Sequence, residues 1–439
     1  MRRRRVIVLT GVLLLCIGAL GLLAVTADDT VRVEEGEPYP GETLITVQAY
    51  GWFGNHNGDV FIVDEDGERT WEYQPENAAV FDGEYLDNGN VMVSYGQRVP
   101  NSECPEEYQN TESRSDHCIR NVVEEIDPET NERVWAYTWY DVFVTYHEVH
   151  DADRLPNGET VIIDMGKDRT FTVNQEGEVT WEWSAVEHLD EGTEFWEEHV
   201  EGTSRESHNY TGPAQDWTHM NDVDRLENGN FLMSIRNFDV LVEVDPETNE
   251  VVEVIGEPGD HSTMYEQHDP NYLDEHGHVI VADSENNRVV EYDETMDEVW
   301  RYEGPSTSDR LQWPRDADRL PNGNTLIVDS RNFRVIEVDE NGDVVWGHDL
   351  SSEPRGIVYD ADRLGPDRNL SEEPEDVPPG DNLEGRGHSS VVSDTIAFVE
   401  SWLGFVFPPW FGLPGVVATL GMAGSGIGLL WEGYREYRG

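Results

Sequence analysis

Three histidines, two arginines and an asparagine carry most of the chemistry available to this chain, and a repeated phrase indicates that they meet. The phrase occurs six times: FDGEYL from Phe81, HDADRL from His150, NDVDRL from Asn221, HDPNYL from His268, RDADRL from Arg315 and YDADRL from Tyr359. Its second position is always Asp and its sixth always Leu, while its first changes every time or nearly so. In a closed repeat fold, equivalent positions point to equivalent places. The constant residues then belong to the scaffold, and the changing one to a shared site. Two imidazoles, an amide, a guanidinium and two aromatic rings would face one another there, a set suited to holding an anion and moving it.

Neighbouring residues extend the set. His219 stands two positions before Asn221 and brings a third imidazole to the same mouth. Arg236 ends the run FLMSIR, and Gly166, Glu285 and Arg331 take the same relative place in other repeats. A lone histidine is usually structural. His150 and His268 gain weight because they fill a slot that elsewhere holds Phe or Tyr. Arg315 reads as a second cation, Phe81 and Tyr359 as walls, and His147 as support behind His150. His276 and His278 read as solvent-facing turn residues. The Asp shared by all repeats is best explained by a turn hydrogen bond made within each repeat.

These side chains need a radial scaffold. Each phrase is followed by an apolar run such as NTLIVD, a second alternating run, and a Trp-bearing strand such as VVWGHD or EVWRY. The turns DENG, NQEG and DEDG supply the Gly, Asn and Asp that tight hairpins need. The last four slots are spaced by 47, 47 and 44 residues, the length of a four-stranded propeller blade. The expectation is an all-β, six-bladed β-propeller over residues 43–365, without helical segments. Strands ahead of the first phrase should pair with the end of the repeat region to close the ring and remove exposed edges. The longer gaps hold insertions, 98–118 and 185–208. Cys104 and Cys118 lie in the first and are expected to form a disulfide in an oxidising compartment.

The chain carries a net charge of −62, with Lys167 its only lysine. Its 14 Trp and 37% hydrophobic residues exclude a disordered acidic chain. Such a surface is a poor partner for nucleic acid. It is tolerable where salt screens self-repulsion, as in a halophile. MRRRR followed by an apolar run makes residues 1–27 a transmembrane or signal-anchor segment. Residues 395–439 hold interfacial aromatics and a second span that ends near REYRG. Residues 366–394 are acidic and rich in Pro and Gly, and read as a linker. The expected arrangement is a cell-membrane protein with the propeller outside and both termini cytoplasmic.

The ordered set HDADRLPNG, THMND, LMSIR and YEQHDP resembles the arylsulfotransferases, which move a sulfuryl group between aryl compounds without a nucleotide donor. The resemblance covers roughly 43–365. It implies a six-bladed propeller with its site at the channel, an aryl sulfate donor, a phenolic acceptor, and no metal or cofactor. His268 would be the nucleophile that carries the sulfuryl group. Arg236, Asn221 and His219 would donate hydrogen bonds to its oxygens, and His150 would handle the proton. Phe81, Tyr359 and Trp217 would stack on aryl rings. Two other readings are compatible with the residues. One is a zinc-dependent propeller lyase or hydrolase built on the three histidines; the other is a non-catalytic propeller that binds a glycan or protein.

Overall fold

The computed structural model describes residues 2–25, 31–49, 57–109, 117–141, 147–208, 216–307, 309–351, 356–370, 377–387 and 412–438. They fall into two units, Val31–Gly387 and a helical unit drawn from both ends of the chain.

The larger unit is a six-bladed β-propeller, each blade an antiparallel sheet of four strands. Blade 1 has its innermost strand, Gly356–Gly365, from late in the chain and its other three, Glu42–Ala49, Asp59–Val63 and Arg69–Tyr73, from early in it. Gly356–Gly365 pairs antiparallel with Glu42–Ala49, so the ring closes as the sequence implies. The innermost strands of blades 2 to 6 are Ala78–Tyr85, Val149–Arg154, Met220–Arg225, His268–Leu273 and Pro314–Arg319. Apolar residues of the strands pack between neighbouring blades, as where Val63, Leu326, Val335 and Ala361 meet.

The repeated phrase fastens blade to blade. Asp82 accepts the N–H of Ala152 (3.3 Å), Asp151 that of Val223 (2.6 Å) and Asp316 that of Ala361 (2.9 Å), each donor lying on the next blade. The shared Asp is therefore more than a turn residue of its own repeat. It reaches forward, because the inner strands converge on the axis and their backbones come within hydrogen-bond range. Blade 5 breaks the series: its third position is Pro270, which has no N–H. The Arg of the phrase reaches backward. Arg154 pairs with Glu125 (3.1 Å), Arg319 with Glu291 (2.7 Å) and Arg363 with Glu337 (2.9 Å), in each case on the third strand of the preceding blade. At the rim, indole N–H groups make a third set of links. Trp71 donates to Asn131 (2.6 Å), Trp181 to Asn249 (2.7 Å) and Trp346 to the carbonyl of Glu65 (3.2 Å).

The insertions depart from the expected absence of helix. The first extends a hairpin, Val91–Pro100 against His117–Asp127, closed by the Cys104–Cys118 disulfide. The second contains the helix Ala185–Leu189 and the turn Trp196–Val200. Leu189, Phe195, Trp196 and Val200 are buried with Trp183 and Phe238 in one core, so this segment covers an apolar edge of blades 3 and 4. Part of the stretch assigned to a linker is bound to the propeller. Val377 joins the core of blades 5 and 6, the N–H of Gly380 donates to Glu291 (2.8 Å), and that of Arg386 to the carbonyl of Arg301 (2.9 Å).

In the smaller unit, helices Arg2–Val25 and Gly412–Arg438 are each long and apolar enough to cross a membrane. They run antiparallel. A Cβ added at Gly421 would lie 2.6 Å from Cys16 Sγ, one at Gly428 would lie 2.9 Å from Leu9, and Arg5 stands 3.8 Å from Glu432.

Candidate functional site

Each innermost strand carries a β-bulge at the start of its phrase. Pairing with the second strand jumps between Val80 and Asp82, Val149 and Ala152, Met220 and Asp222, His268 and Pro270, and Pro314 and Asp316, and blade 1 shows the same jump opposite Ile45 and Val47. A bulge inserts an unpaired residue and re-aims its side chain. In five blades the unpaired stretch includes the changing slot; in blade 5 it is Asp269, and His268 still pairs with Ala282. Phe81, His150, Asn221, His268, Arg315 and Tyr359 all line one pocket.

The rings are in contact. Phe81 stacks on His150 with centroids 4.4 Å apart and meets the Tyr359 ring edge-on at 5.3 Å. His150 also stands 5.2 Å from His219, and His268 6.1 Å from Tyr359. The Arg315 guanidinium lies between Trp313 (4.1 Å) and Tyr359 (4.2 Å) and donates to Gln48 (3.2 Å). Planar stacking on both sides fixes a cation that would otherwise swing.

The surroundings of His268 settle its tautomer. Nδ1 lies 3.1 Å from the Glu266 carbonyl, which only accepts, and 2.9 Å from Ser284 Oγ, whose own hydrogen goes to the Pro314 carbonyl at 2.6 Å. Nδ1 therefore carries the hydrogen, and Nε2 keeps its lone pair. Burial first, then the positive charges of Arg315 and Arg236, hold the His268 imidazole well below its ordinary pKa. His150 is lowered likewise by burial, then by His219, Arg315 and Arg236. His219 is lowered by burial and Arg236, although its Nδ1 meets Asp216 at 2.7 Å. Three neutral imidazoles thus stand beside permanent cations. Burial and repulsion also bring Arg315 down to about 10.

The other expected residues are placed one layer out. Arg236 opens the turn Arg236–Phe238, is ion-paired with Glu266 and donates to Asn237. Glu285 and Arg331 stand in matching turns, Ser284–Asn286 and Ser330–Asn332. Gly166 takes this place in blade 3, where a Cβ would come 2.7 Å from the His147 ring. His147 is buried 3.0 Å from Asp141. Asn221 directs Nδ2 to the carbonyl of Gln267 (2.9 Å), so part of its function is to hold the peptide that precedes His268. Gln267 is itself buried and bonded to Ser234 and Val240.

Two expectations fail. Trp217 is not at the channel: it is 1% exposed within the core of blades 3 and 4, edge-on to Phe238. His278 is not solvent-facing, because its Nδ1 meets the buried Glu291 at 2.8 Å; His276 is exposed and donates to the Val377 carbonyl.

The aromatic platform that sequence reasoning missed is Trp313, between Arg315 and Arg331 (3.9 Å from its ring) and 6.3 Å from His268. A signal was present. Trp313 and Glu266 sit two positions before their slots, as His219 does, and all three adopt positive φ (56°, 49° and 48°). Strained backbone of this kind concentrates at functional sites.

Metal-ligating distances do not fall among the three histidines. Among the described residues, the group at such distances is Asp269, Asp316 and Asp360.

Comparison with known proteins adds a family. A family model described as arylsulfotransferase (ASST) matches residues 31–269, and one described as outer membrane protein assembly factor BamB matches residues 184–365. No curated protein matches the chain. Among solved structures, a protein of unknown function from Bacteroides caccae aligns at a TM-score of 0.49 with 16% identity, over 73% of this chain and 98% of that one. A catalytically inactive virginiamycin B lyase from Staphylococcus aureus, with quinupristin, aligns at 0.40 with 9% identity, over 71% and 86%. A periplasmic gluconolactonase from Pseudomonas aeruginosa aligns at 0.41 with 10% identity, over 73% and 98%. Similarity this distant carries no information about the reaction.

Proposed function

The chain belongs to the arylsulfotransferase family, and from that premise we propose that it moves a sulfuryl group from an aryl sulfate to a phenol through a sulfohistidine at His268. Family membership supports sulfuryl transfer in general; the mechanism and substrates are our reading of the site. The observation that carries it is the fixed tautomer of His268, whose Nδ1 is tied to Glu266 and Ser284 while Nε2 takes no hydrogen bond among the described residues.

In the first half, the Nε2 lone pair attacks sulfur as the bond between sulfur and the aryl oxygen breaks. The aryl oxide leaves with that electron pair and takes a proton from His150. Binding of the anionic donor offsets the charge of Arg315 and Arg236 and so raises the affinity of His150 for that proton. In the second half, a phenol oxygen attacks sulfur, the N–S bond breaks, and the phenol proton returns to His150. Sulfuryl transfer, like phosphoryl transfer, has a loose transition state with charge on the peripheral oxygens. Arg315 faces those oxygens directly, His219 and the second amide hydrogen of Asn221 are the neutral donors, and Arg236 acts from behind Glu266. Trp313, Phe81 and Tyr359 provide flat surfaces for the aryl groups. Splitting one transfer into two is the usual gain from a covalent intermediate.

The full chain in detergent and high salt should turn over a chromogenic aryl sulfate only when a phenol is present. The wild type should retain labelled sulfuryl group on the protein. His268→Ala should retain none and lose at least roughly 10³-fold in rate. Retention of label in that variant, or no turnover across a broad phenol panel, would count against the transferase reading and favour a binding propeller. We further propose that the two terminal helices anchor the protein as a hairpin, with the arginines of both ends on the cytoplasmic side. The acidic surface fits a salt-rich medium.

A further inference from the structure

We infer that the axial shaft below the six slot residues binds a hard divalent cation of calcium's size, held between blades 5, 6 and 1 by Asp269, Asp316 and Asp360. One carboxylate oxygen from each lies within 4.8 Å of the other two. A cation with oxygen ligands at roughly 2.3–2.6 Å spans such a triangle.

Crowded carboxylates alone show little, and orphaned oxygens supply the second observation. Asp316 is 1% exposed and Asp360 6% exposed. Asp316 Oδ1 and Asp360 Oδ2 are nonetheless buried without a hydrogen-bond partner. Asp362 is 4% exposed and lies two residues beyond Asp360, on the same face of the strand. Its Oδ2 is orphaned as well, and it lines the same pocket as the other three. The basic residues of the phrase do not help, because Arg319 and Arg363 turn outward to Glu291 and Glu337. Among the described residues, neither Asp316, Asp360 nor Asp362 forms an ion pair. Buried carboxylates without a countercharge are costly, and a bound cation supplies one.

The donor set consists of oxygen alone, which selects calcium, magnesium or manganese over zinc. The ion would tie the closing blade to its two neighbours and place positive charge under the cavity. The inference does not depend on the transfer reading.

The test uses the full chain in detergent, stripped with a chelator and exchanged into molar sodium chloride. Surface attraction is then screened to a Debye length of roughly 3 Å. Calorimetric titration with Ca²⁺ should show one saturable site and a rise in melting temperature. The double substitution Asp316→Asn with Asp360→Asn keeps an acceptor for the Ala361 N–H but removes the charge. It should weaken binding at least tenfold and abolish the thermal shift. Asp362→Asn makes no inter-blade bond, serves if the double variant does not fold, and should weaken binding at least threefold. Absence of a saturable site in the wild type, or unchanged affinity in the variants, would overturn the inference.

Discussion

His150 and His219 show how the pocket sets its own protonation. Both are held below the ordinary imidazole pKa, first by burial and then by neighbouring positive charge, from His219, Arg315 and Arg236 on His150 and from Arg236 on His219; Asp216 opposes the shift at His219. They stay neutral where an exposed imidazole is charged. The acid limb of the rate profile belongs to the nucleophile His268, which burial, Arg315 and Arg236 hold below the ordinary imidazole pKa; it should therefore fall below pH 6.5, and replacing Arg236 with Gln should move it upward. For stability, the unfolded chain binds protons from about pH 6.5 downward that these folded imidazoles refuse. Their contribution is thus complete above that pH and declines as pH falls below it. Chemical denaturation between pH 7.5 and 5 checks both sign and window. The slot residues were legible because a constant phrase with one changing position marks itself in a sequence. Trp313 was not, because it is displaced by two residues from the slot and becomes a site residue only through a backbone turn. Trp217 misled for the complementary reason: it has the right composition nearby, but its side chain points into the apolar gap between blades.

At the level of strands, the phrase DADRL is a two-way clasp. Its first Asp accepts from the next blade and its Arg pairs with the previous one. Arg319→Ala would leave Glu291 buried with one partner fewer. Removing one member of a buried pair costs about 3–5 kcal/mol, which a denaturant midpoint would register. Blade number and ring closure could be read from phrase count and spacing. The direction of the Asp bond could not, since it depends on how closely inner strands approach near the axis. The six bulges were equally hidden, because pairing register has no single-residue signature. The terminal helices offer a second test. Gly421 packs against the native Cys16, so Gly421→Cys should give an intrachain disulfide on mild oxidation, detectable by joined fragments after proteolysis. Gly421→Ile should separate the helices and lower the yield of any engineered cross-link between positions 9 and 428.

For the molecule entire, charge is the dominant quantity. A net −62 makes self-repulsion a destabilising force that salt relieves. The melting temperature should therefore rise steadily between about 0.1 and 1 M sodium chloride as the screening length shortens from roughly 10 to 3 Å. An equal change for a neutral osmolyte would remove the electrostatic explanation. The strand Gly356–Gly365 has one more consequence. It is the last piece of the ring to leave the ribosome, yet it supplies Tyr359 and completes the first blade. A nascent chain halted before residue 356 would hold five finished blades and an open seam. Such a fragment would lack Tyr359 and an enclosed pocket, so the cavity forms only once this strand has docked.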